Sequence, residues 1–168
     1  QARKRLQEDV LRHKPRVVVM QFGINDSAVD VWRKPPMTEP RVSLEAFLEN
    51  YRAMIAETQK QGAKVILMTT NPLRWTSKLR ELYGKPPYNA DAEDGFETLN
   101  LTRYNDALRK LAGEMKVSFV DVHAAYPAFA AKNKTTIEEM LPDGMHPGDF
   151  GHQLVAELLV PAIRDAVR

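Results

Sequence analysis

Cysteine is absent from the chain, so the sequence excludes disulfide bonds and thiolate-bound metal sites. The same absence leaves open whether the protein works in an oxidising or a reducing compartment. An excess of charge of one sign is also missing, because 24 Lys and Arg against 22 Asp and Glu give a net charge of only +2. Such a balance provides no electrostatic footprint for nucleic acid or for a membrane surface, and we expect neither as a partner.

Long apolar runs are lacking as well. No run approaches the roughly 18 residues that a membrane-spanning helix needs, and no signal peptide is visible. The chain begins at Gln1 inside a predicted helix, with neither an initiator Met nor a capping residue, so we expect it to be a fragment or a processed chain. Its 168 residues and hydrophobic content of 43% fit one globular domain over residues 1–168.

Three short apolar runs, each followed by a loop and a helical segment, organise the chain. They predict buried strands over residues 17–22, 64–70 and 117–122. Strands that alternate with helices indicate an α/β fold with a parallel sheet, with these three strands adjacent in chain order. Doubly wound sheets usually have about five strands, so we expect two further strands to be absent from this chain. The first run would then form an exposed sheet edge that can self-associate.

Apolar stripes at helical spacing predict a first helix that ends near Lys14, a second with Ser43 as its N-cap, and a last that begins near Asp149. Further helices are expected over the stripe from Leu101 to Met115 and over residues 124–131. Two long loops remain, over residues 25–42 and 73–97. The aromatic residues of the second loop either form a site or pin the loop to the core, and the sequence leaves both readings open.

The first polar cluster, Gly23-Ile24-Asn25-Asp26, follows the first predicted strand. Gly23 permits the positive φ of a sharp turn. Asn25 then offers a neutral amide donor at the carboxyl end of the sheet, which is the chemistry that an oxyanion hole requires. Asp26 is expected to tie down the turn through backbone hydrogen bonds. Taken alone, the motif is also typical of a simple turn after a strand.

The second polar cluster runs from Asp143 to Pro147 and contains His146. An Asp three residues before a His can bend back across Gly144 and accept a hydrogen bond from the imidazole. It would fix the tautomer and stabilise the imidazolium that forms when His146 takes a proton. Taken alone, this motif also fits a loop in which the Asp caps the following helix and the His is solvated.

The remaining histidines are assigned no chemistry. His13 is expected to be solvated, His123 to pack locally or border the cleft, and His152 to pack or cap locally. A metal held by His146, His152 and Asp143 is disfavoured, because paired His ligands on a helix prefer i, i+4 spacing and no further ligand is evident. We therefore expect neither a metal nor a cofactor.

The order of these motifs, G-x-N-D after a strand and D-x-x-H-P before the last helix, resembles the SGNH (GDSL-type) hydrolases. The segment from Leu141 to Pro147, continuing to Gly151 and His152, is especially similar to the carbohydrate-ester hydrolases of that family. The resemblance covers essentially the whole chain. It implies a flavodoxin-like three-layer sandwich, of which this chain would be the C-terminal two-thirds. It also implies a serine esterase that deacetylates a carbohydrate or similar ester without a cofactor, in a secreted or periplasmic setting.

The resemblance implies a role for each matching residue. His146 would be the general base and then the general acid, Asp143 would orient it, and Asn25 would donate to the oxyanion with Gly23 as its turn partner. The family's G-D-S nucleophile motif and its glycine oxyanion donor do not occur in this chain. Ser27 is the serine nearest to the expected site, but it follows the wrong strand. We therefore expect an upstream segment to supply the nucleophile, and this chain alone to be inactive.

Two alternatives belong to other classes of function. A carbohydrate-binding module could keep the fold without the nucleophile. A flavodoxin-like nucleotide-binding domain is disfavoured, because no glycine-rich phosphate loop follows any predicted strand.

Overall fold

The computed structural model describes residues 1–168 and contains one sheet of three parallel strands in the order β1-β2-β3. The strands are β1 (Val17–Met20), β2 (Lys64–Met68) and β3 (Ser118–Val120). The predicted strands, their parallel direction and their order are confirmed. Each strand is shorter than its apolar run, because side chains replace ladder partners beyond its end. Gln21 Nε2, for example, donates to the Thr69 carbonyl at 2.9 Å.

Eight α-helices surround this sheet, and none of them is long and apolar enough to cross a bilayer. They are α1 (Ala2–Asp9), α2 (Ile24–Ser27), α3 (Leu44–Lys60), α4 (Ser77–Tyr83), α5 (Leu101–Met115), α6 (Val122–Asn133), α7 (Ile137–Met140) and α8 (Asp149–Val167). Alternate strand residues face opposite sides. Val65 and Leu67 pack in the cluster with α1, α3 and α5, whereas Ile66 and Met68 pack in the cluster with α6, α7 and α8. The sheet therefore lies between two helical layers.

Side-chain caps set several helix ends close to where the sequence predicts them. Ser43 Oγ accepts a hydrogen bond from the Ala46 amide at 3.2 Å, which confirms Ser43 as the N-cap of α3. The last helix begins at Asp149, as predicted. The short helix predicted over residues 124–131 is longer, because the Asp121 carboxylate caps it and α6 starts at Val122.

Other boundaries differ from the prediction. The first helix ends at Asp9, because Val10 leaves the helical region at φ −127°, and a separate 3₁₀ turn follows over Leu11–His13. The two segments predicted as loops each contain a short helix, α2 and α4. In α2 the Ser27 amide donates to the Gly23 carbonyl at 2.8 Å, and α4 is capped by Thr76, whose hydroxyl accepts from the Leu79 amide.

The outer edge of β1 has no strand partner. Beside it lies a groove of about 190 Å³ between β1 and α1, lined mainly by apolar side chains. Phe22 lines this groove and is 38% exposed. The exposed sheet edge predicted at β1 is therefore present, and apolar surface lies next to it.

Candidate active site

The turn after β1 is shaped by Gly23, which has a φ of 144° that side-chain-bearing residues rarely adopt. The chain then winds directly into α2, which holds Asn25 in its first turn and leaves its side chain exposed. The Asp26 carboxylate is half-buried, and burial raises its pKa against the opposing hydrogen bonds from backbone amides.

The carboxamide of Asn25 has two different ends. Its Oδ1 accepts a hydrogen bond from Arg41 Nη1 at 2.7 Å. A guanidinium has donors only, so the oxygen of the amide must face it and the amide nitrogen must face away. No hydrogen bond within the protein uses that nitrogen, and its N–H groups are free to donate to a ligand.

Arg41 reaches Asn25 because the loop after α2 returns over its own starting point. The Arg41 amide donates to the Ala28 carbonyl at 2.9 Å, and the Val42 amide donates to the Asp26 carbonyl at 3.1 Å. The sequence did not predict a role for Arg41, because a charged residue in a loop is usually solvated and nothing in the spacing links it to Asn25.

The second polar cluster forms the hydrogen bond that its spacing predicts. Asp143 Oδ2 lies 2.7 Å from His146 Nδ1, and Asp143 Oδ1 accepts from the amides of Met145 at 2.9 Å and His146 at 2.7 Å. Gly144 has a φ of 80°, and a Cβ there would collide with the Arg74 carbonyl oxygen. The bend that brings Asp143 under the imidazole therefore requires glycine at that position.

The charge of Asp143 is well maintained. Partial burial raises the pKa of its carboxyl, but hydrogen bonds from the His146 ring and from the His146 and Met145 amides outweigh this and lower the pKa to about 2. An ionised Asp143 holds a proton on His146 Nδ1, which leaves Nε2 as the basic nitrogen. The His146 side chain is 77% exposed, so Nε2 is open to a reacting group.

The loop after β2 holds the loop of His146 in place. Asn71 Nδ2 donates to the Met145 carbonyl and to the Pro72 carbonyl, both at 2.8 Å. The Arg74 amide donates to the Gly144 carbonyl at 2.9 Å. Asn71 is buried, so its amide has to find these carbonyls within the protein.

Glu97 is a buried carboxylate that the sequence did not predict. Its Oε2 accepts from the Leu73 amide at 2.8 Å, and its Oε1 lies 2.7 Å from His123 Nε2. Burial raises the pKa of Glu97. The hydrogen bond and charge of His123, the Leu73 amide and Arg74 together have the larger effect, so the pKa of Glu97 lies below its usual value. His123 therefore packs locally, joined to Glu97 by a hydrogen bond. The only sequence signal was an acid beside Phe96 in a loop rich in aromatic residues.

The other histidines and Ser27 lie outside this chemistry. His13 is exposed, as expected, and His152 is exposed rather than packed. Ser27 is only 4% exposed, and its hydroxyl donates to the Ile24 carbonyl at 3.2 Å. A buried, engaged hydroxyl is a poor nucleophile. The structure contains no group of three or more acidic or His side chains placed to hold a metal ion.

A small cavity of about 20 Å³ lies beside Asn25 and Met145. Its wall includes aromatic side chains of the loop after β2, namely Tyr83, Tyr88 and Phe96. These rings also pack in a buried cluster with Val29 and neighbouring residues, and the Tyr88 hydroxyl accepts from the Val29 amide at 2.8 Å. The aromatic residues therefore pin this loop to the core, as one of the two readings predicted. His146 itself does not line this cavity, whereas the neighbouring Met145 does.

Residues 1–154 match the model of the GDSL-like lipase/acylhydrolase family. The chain belongs to this family. Its α/β structure is the SGNH hydrolase, flavodoxin-like fold expected from the motifs. A solved structure of the acetyl xylan esterase AlAXEase superimposes with a TM-score of 0.69 at 26% identity, over 96% of this chain and 74% of that one.

This GDSL-like chain is also similar to two bacterial proteins over most of its length. The uncharacterized lipoprotein YqeF of Bacillus subtilis is 34% identical over 93% of the chain and 65% of the relative. An acetylxylan esterase of Geobacillus stearothermophilus is 29% identical over 95% of the chain and 64% of the relative. The chain thus spans slightly less than two thirds of the length of these relatives.

Proposed function

We propose that the protein is a serine ester hydrolase that removes an acetyl group from a carbohydrate or similar ester, and that residues 1–168 form part of a single SGNH hydrolase domain. The observation that carries the proposal is the Asp143–His146 hydrogen bond of 2.7 Å, which leaves Nε2 free. The free amide nitrogen of Asn25 and the family membership support it.

In this proposal each residue has one chemical task. His146 Nε2 takes the proton of a serine hydroxyl while the serine oxygen attacks the ester carbonyl carbon. The carbonyl electrons move onto its oxygen, which accepts a hydrogen bond from Asn25 Nδ2. When the tetrahedral intermediate collapses, His146 gives the proton to the departing alcohol. A water molecule that His146 deprotonates then attacks the acyl carbon. The bond to the serine oxygen breaks, the serine oxygen takes the proton back from His146, and the acid is released. Asp143 stabilises the imidazolium in both steps.

The nucleophile in this scheme comes from outside residues 1–168. None of the serines of the chain follows Gly-Asp, and Ser27 is buried. The unpaired edge of β1, with the apolar groove beside it, offers a place where a strand carrying the nucleophile can complete the sheet. The length of the relatives, of which the chain spans about 65%, supports the same arrangement.

The similar proteins support an acetyl ester as the substrate. The acetylxylan esterases among the similar proteins are named for removal of the same acyl group.

The test is steady-state hydrolysis of an aryl acetate and of acetylated xylooligosaccharides by the full-length protein. We expect turnover that is abolished by a serine-directed phosphonate and by His146→Ala, and is retained by His152→Ala, which removes an exposed histidine nearby in sequence. A full-length protein that binds the acetylated sugar but hydrolyses neither ester contradicts the proposal. It supports instead the carbohydrate-binding module that keeps the fold without catalysis.

A further inference from the structure

The orientation of the Asn25 amide depends on one contact. The carboxamide is exposed and nearly symmetric in shape, so it can turn by half a rotation at little cost unless a neighbour distinguishes oxygen from nitrogen. The Asn25 side chain makes a single hydrogen bond, in which Arg41 Nη1 donates to Asn25 Oδ1 at 2.7 Å. A guanidinium has no acceptor, so it favours the rotamer in which the amide nitrogen faces away from Arg41.

The position of Arg41 is fixed by its hydrogen bonds to Asp30. Asp30 is only 2% exposed, and its Oδ1 accepts from Arg41 Nε at 2.9 Å and from Arg41 Nη2 at 2.7 Å. Its Oδ2 pairs with Arg33 Nε at 3.0 Å. The hydrogen bond from Arg41 lowers the pKa of Asp30, so the carboxylate stays charged and holds the guanidinium with Nη1 aimed at Asn25.

We propose that Arg41 is a positioning residue that fixes the Asn25 carboxamide with its N–H groups toward the reacting carbonyl oxygen. The inference rests on the proposed esterase function. Arg41 acts in two ways through one hydrogen bond. It keeps the amide in the donating orientation, and its positive charge draws electrons toward Oδ1, which makes Nδ2–H a stronger donor to the oxyanion.

A purely structural role makes a different prediction. If Arg41 only neutralised Asp30 and held the loop, Arg33 would serve in the same way, because it pairs with the other oxygen of the same carboxylate. Arg33 makes no hydrogen bond with Asn25. Arg33→Met is therefore the matched control for Arg41→Met. Each variant removes one guanidinium from Asp30, but only Arg41→Met also removes the hydrogen bond to the Asn25 carboxamide.

The experiment is a double-mutant cycle on kcat in the full-length protein, with an aryl acetate as substrate. We expect Arg41→Met to lower kcat about 10-fold with little change in KM, less than the roughly 10²–10³-fold loss from removing the oxyanion donor itself. In the Asn25→Ala background the same substitution should leave kcat unchanged within about twofold, because no amide remains to be oriented. Arg33→Met should retain wild-type kcat.

The cycle stays informative if Arg41→Met folds poorly. A smaller folded fraction lowers the apparent kcat by the same factor in both backgrounds, whereas lost positioning lowers it only where Asn25 is present. Arg41→Lys is the second variant. Its shorter side chain has a single ammonium, which can stay beside Asp30 but cannot form the fork that reaches both partners, so we expect it to lose activity with coupling to Asn25 similar to that of Arg41→Met.

An equal loss from Arg41→Met in the two backgrounds, or no loss in either, overturns the inference. These outcomes differ from failure of the proposed function, which appears as a wild-type protein with no esterase activity or as His146→Ala with unchanged activity. An active wild type that His146→Ala disables, together with an Arg41→Met effect that disappears in Asn25→Ala, is the result that supports Arg41 as the positioning residue.

Discussion

Asn25 is expected to act on the transition state rather than on the substrate. Its free Nδ2 donates most strongly where negative charge develops, so Asn25→Ala in the full-length protein should lower kcat by about 10²–10³-fold and change KM little. Steady-state kinetics on an aryl acetate measures both constants. Asn50→Ala, a partly exposed asparagine on α3, provides the control. An Asn25→Ala enzyme with unaltered kcat would refute the oxyanion role.

Asp143 should act through its charge and through the tautomer of His146. Asp143→Asn in the full-length protein is expected to lower kcat by about 10²–10⁴-fold, because the amide no longer selects a proton on Nδ1. Asp149→Asn, which changes an exposed acid in the first turn of α8, is the control and should retain activity. Equal kcat values for the two variants contradict the proposed dyad.

The pH dependence of the same residue follows from the direction of its pKa shift. The pKa of Asp143 is about 2 in the folded protein, below the roughly 3.9 of an unperturbed Asp. A carboxyl group with a lowered pKa stabilises the folded protein fully at pH values above its pKa in the unfolded chain. This contribution to stability is lost as pH falls through the folded pKa of about 2. The acid limb of esterase activity above pH ~4 should therefore not follow Asp143. Carbon-13 NMR of the carboxyl, titrated against activity, tests this.

At the scale of elements, the segment between β2 and α5 is held from inside by Glu97. Glu97→Ala leaves the buried Leu73 amide without an acceptor and the part-buried His123 side chain without its partner. We expect a loss of about 1–3 kcal/mol in the free energy of unfolding, as for other buried groups left without a hydrogen-bond partner. The exposed Glu93 in the same segment is the control, and Glu93→Ala should fall within about 0.5 kcal/mol of wild type. Urea denaturation of the full-length protein measures both.

Acid should weaken the same anchor. The pKa of Glu97 is lowered in the folded protein, so its contribution to stability is fully present above the unfolded value of about 4.3 and is lost as pH falls below the folded value. Between about pH 6 and pH 3, wild type should therefore lose more thermal stability than Glu97→Gln, which has no carboxyl to protonate. If Tm falls with pH at the same slope in the two proteins, protonation of Glu97 does not weaken the fold and this prediction is wrong.

At the scale of the whole molecule, residues 1–168 expressed alone should not hydrolyse esters and should associate. The His146 ring makes no hydrogen bond to a serine of the chain, and Ser27 is buried. The free edge of β1 and the groove beside it invite pairing with another chain. Sedimentation and an aryl acetate assay test both parts. A stable, active monomer would show that the expectation of a separate nucleophile segment is wrong.

Two exposed phenylalanines allow the associating surface to be located. Phe22, 38% exposed, lines the groove beside β1, whereas Phe150, 43% exposed, lies at the start of α8 and outside that groove. Phe22→Lys should shift residues 1–168 toward the monomer, because a charge at a sheet edge opposes pairing. Phe150→Lys should leave the sedimentation profile unchanged. The reverse pattern would place the association elsewhere.

The sequence by itself determined the parts of this protein that depend on local pattern. The apolar runs around Val18, Leu67 and Phe119 predicted three parallel strands in the observed order, because burial on both faces of a sheet demands such runs. The Asp143–His146 hydrogen bond was predictable for a similar reason. A separation of three positions, with a glycine between the two residues, sets much of its geometry.

Only the tertiary structure decided which distant side chains support the site. Arg41 orients toward Asn25 across 16 positions of the sequence, and Glu97 meets His123 across 26. Each contact depends on how a loop folds back over a strand end, and no periodicity records that path. A charged residue in a loop is usually solvated, so its sequence context looks the same whether it is free or paired. Burial removes the water, and an acid left among apolar side chains must then find a partner within the protein.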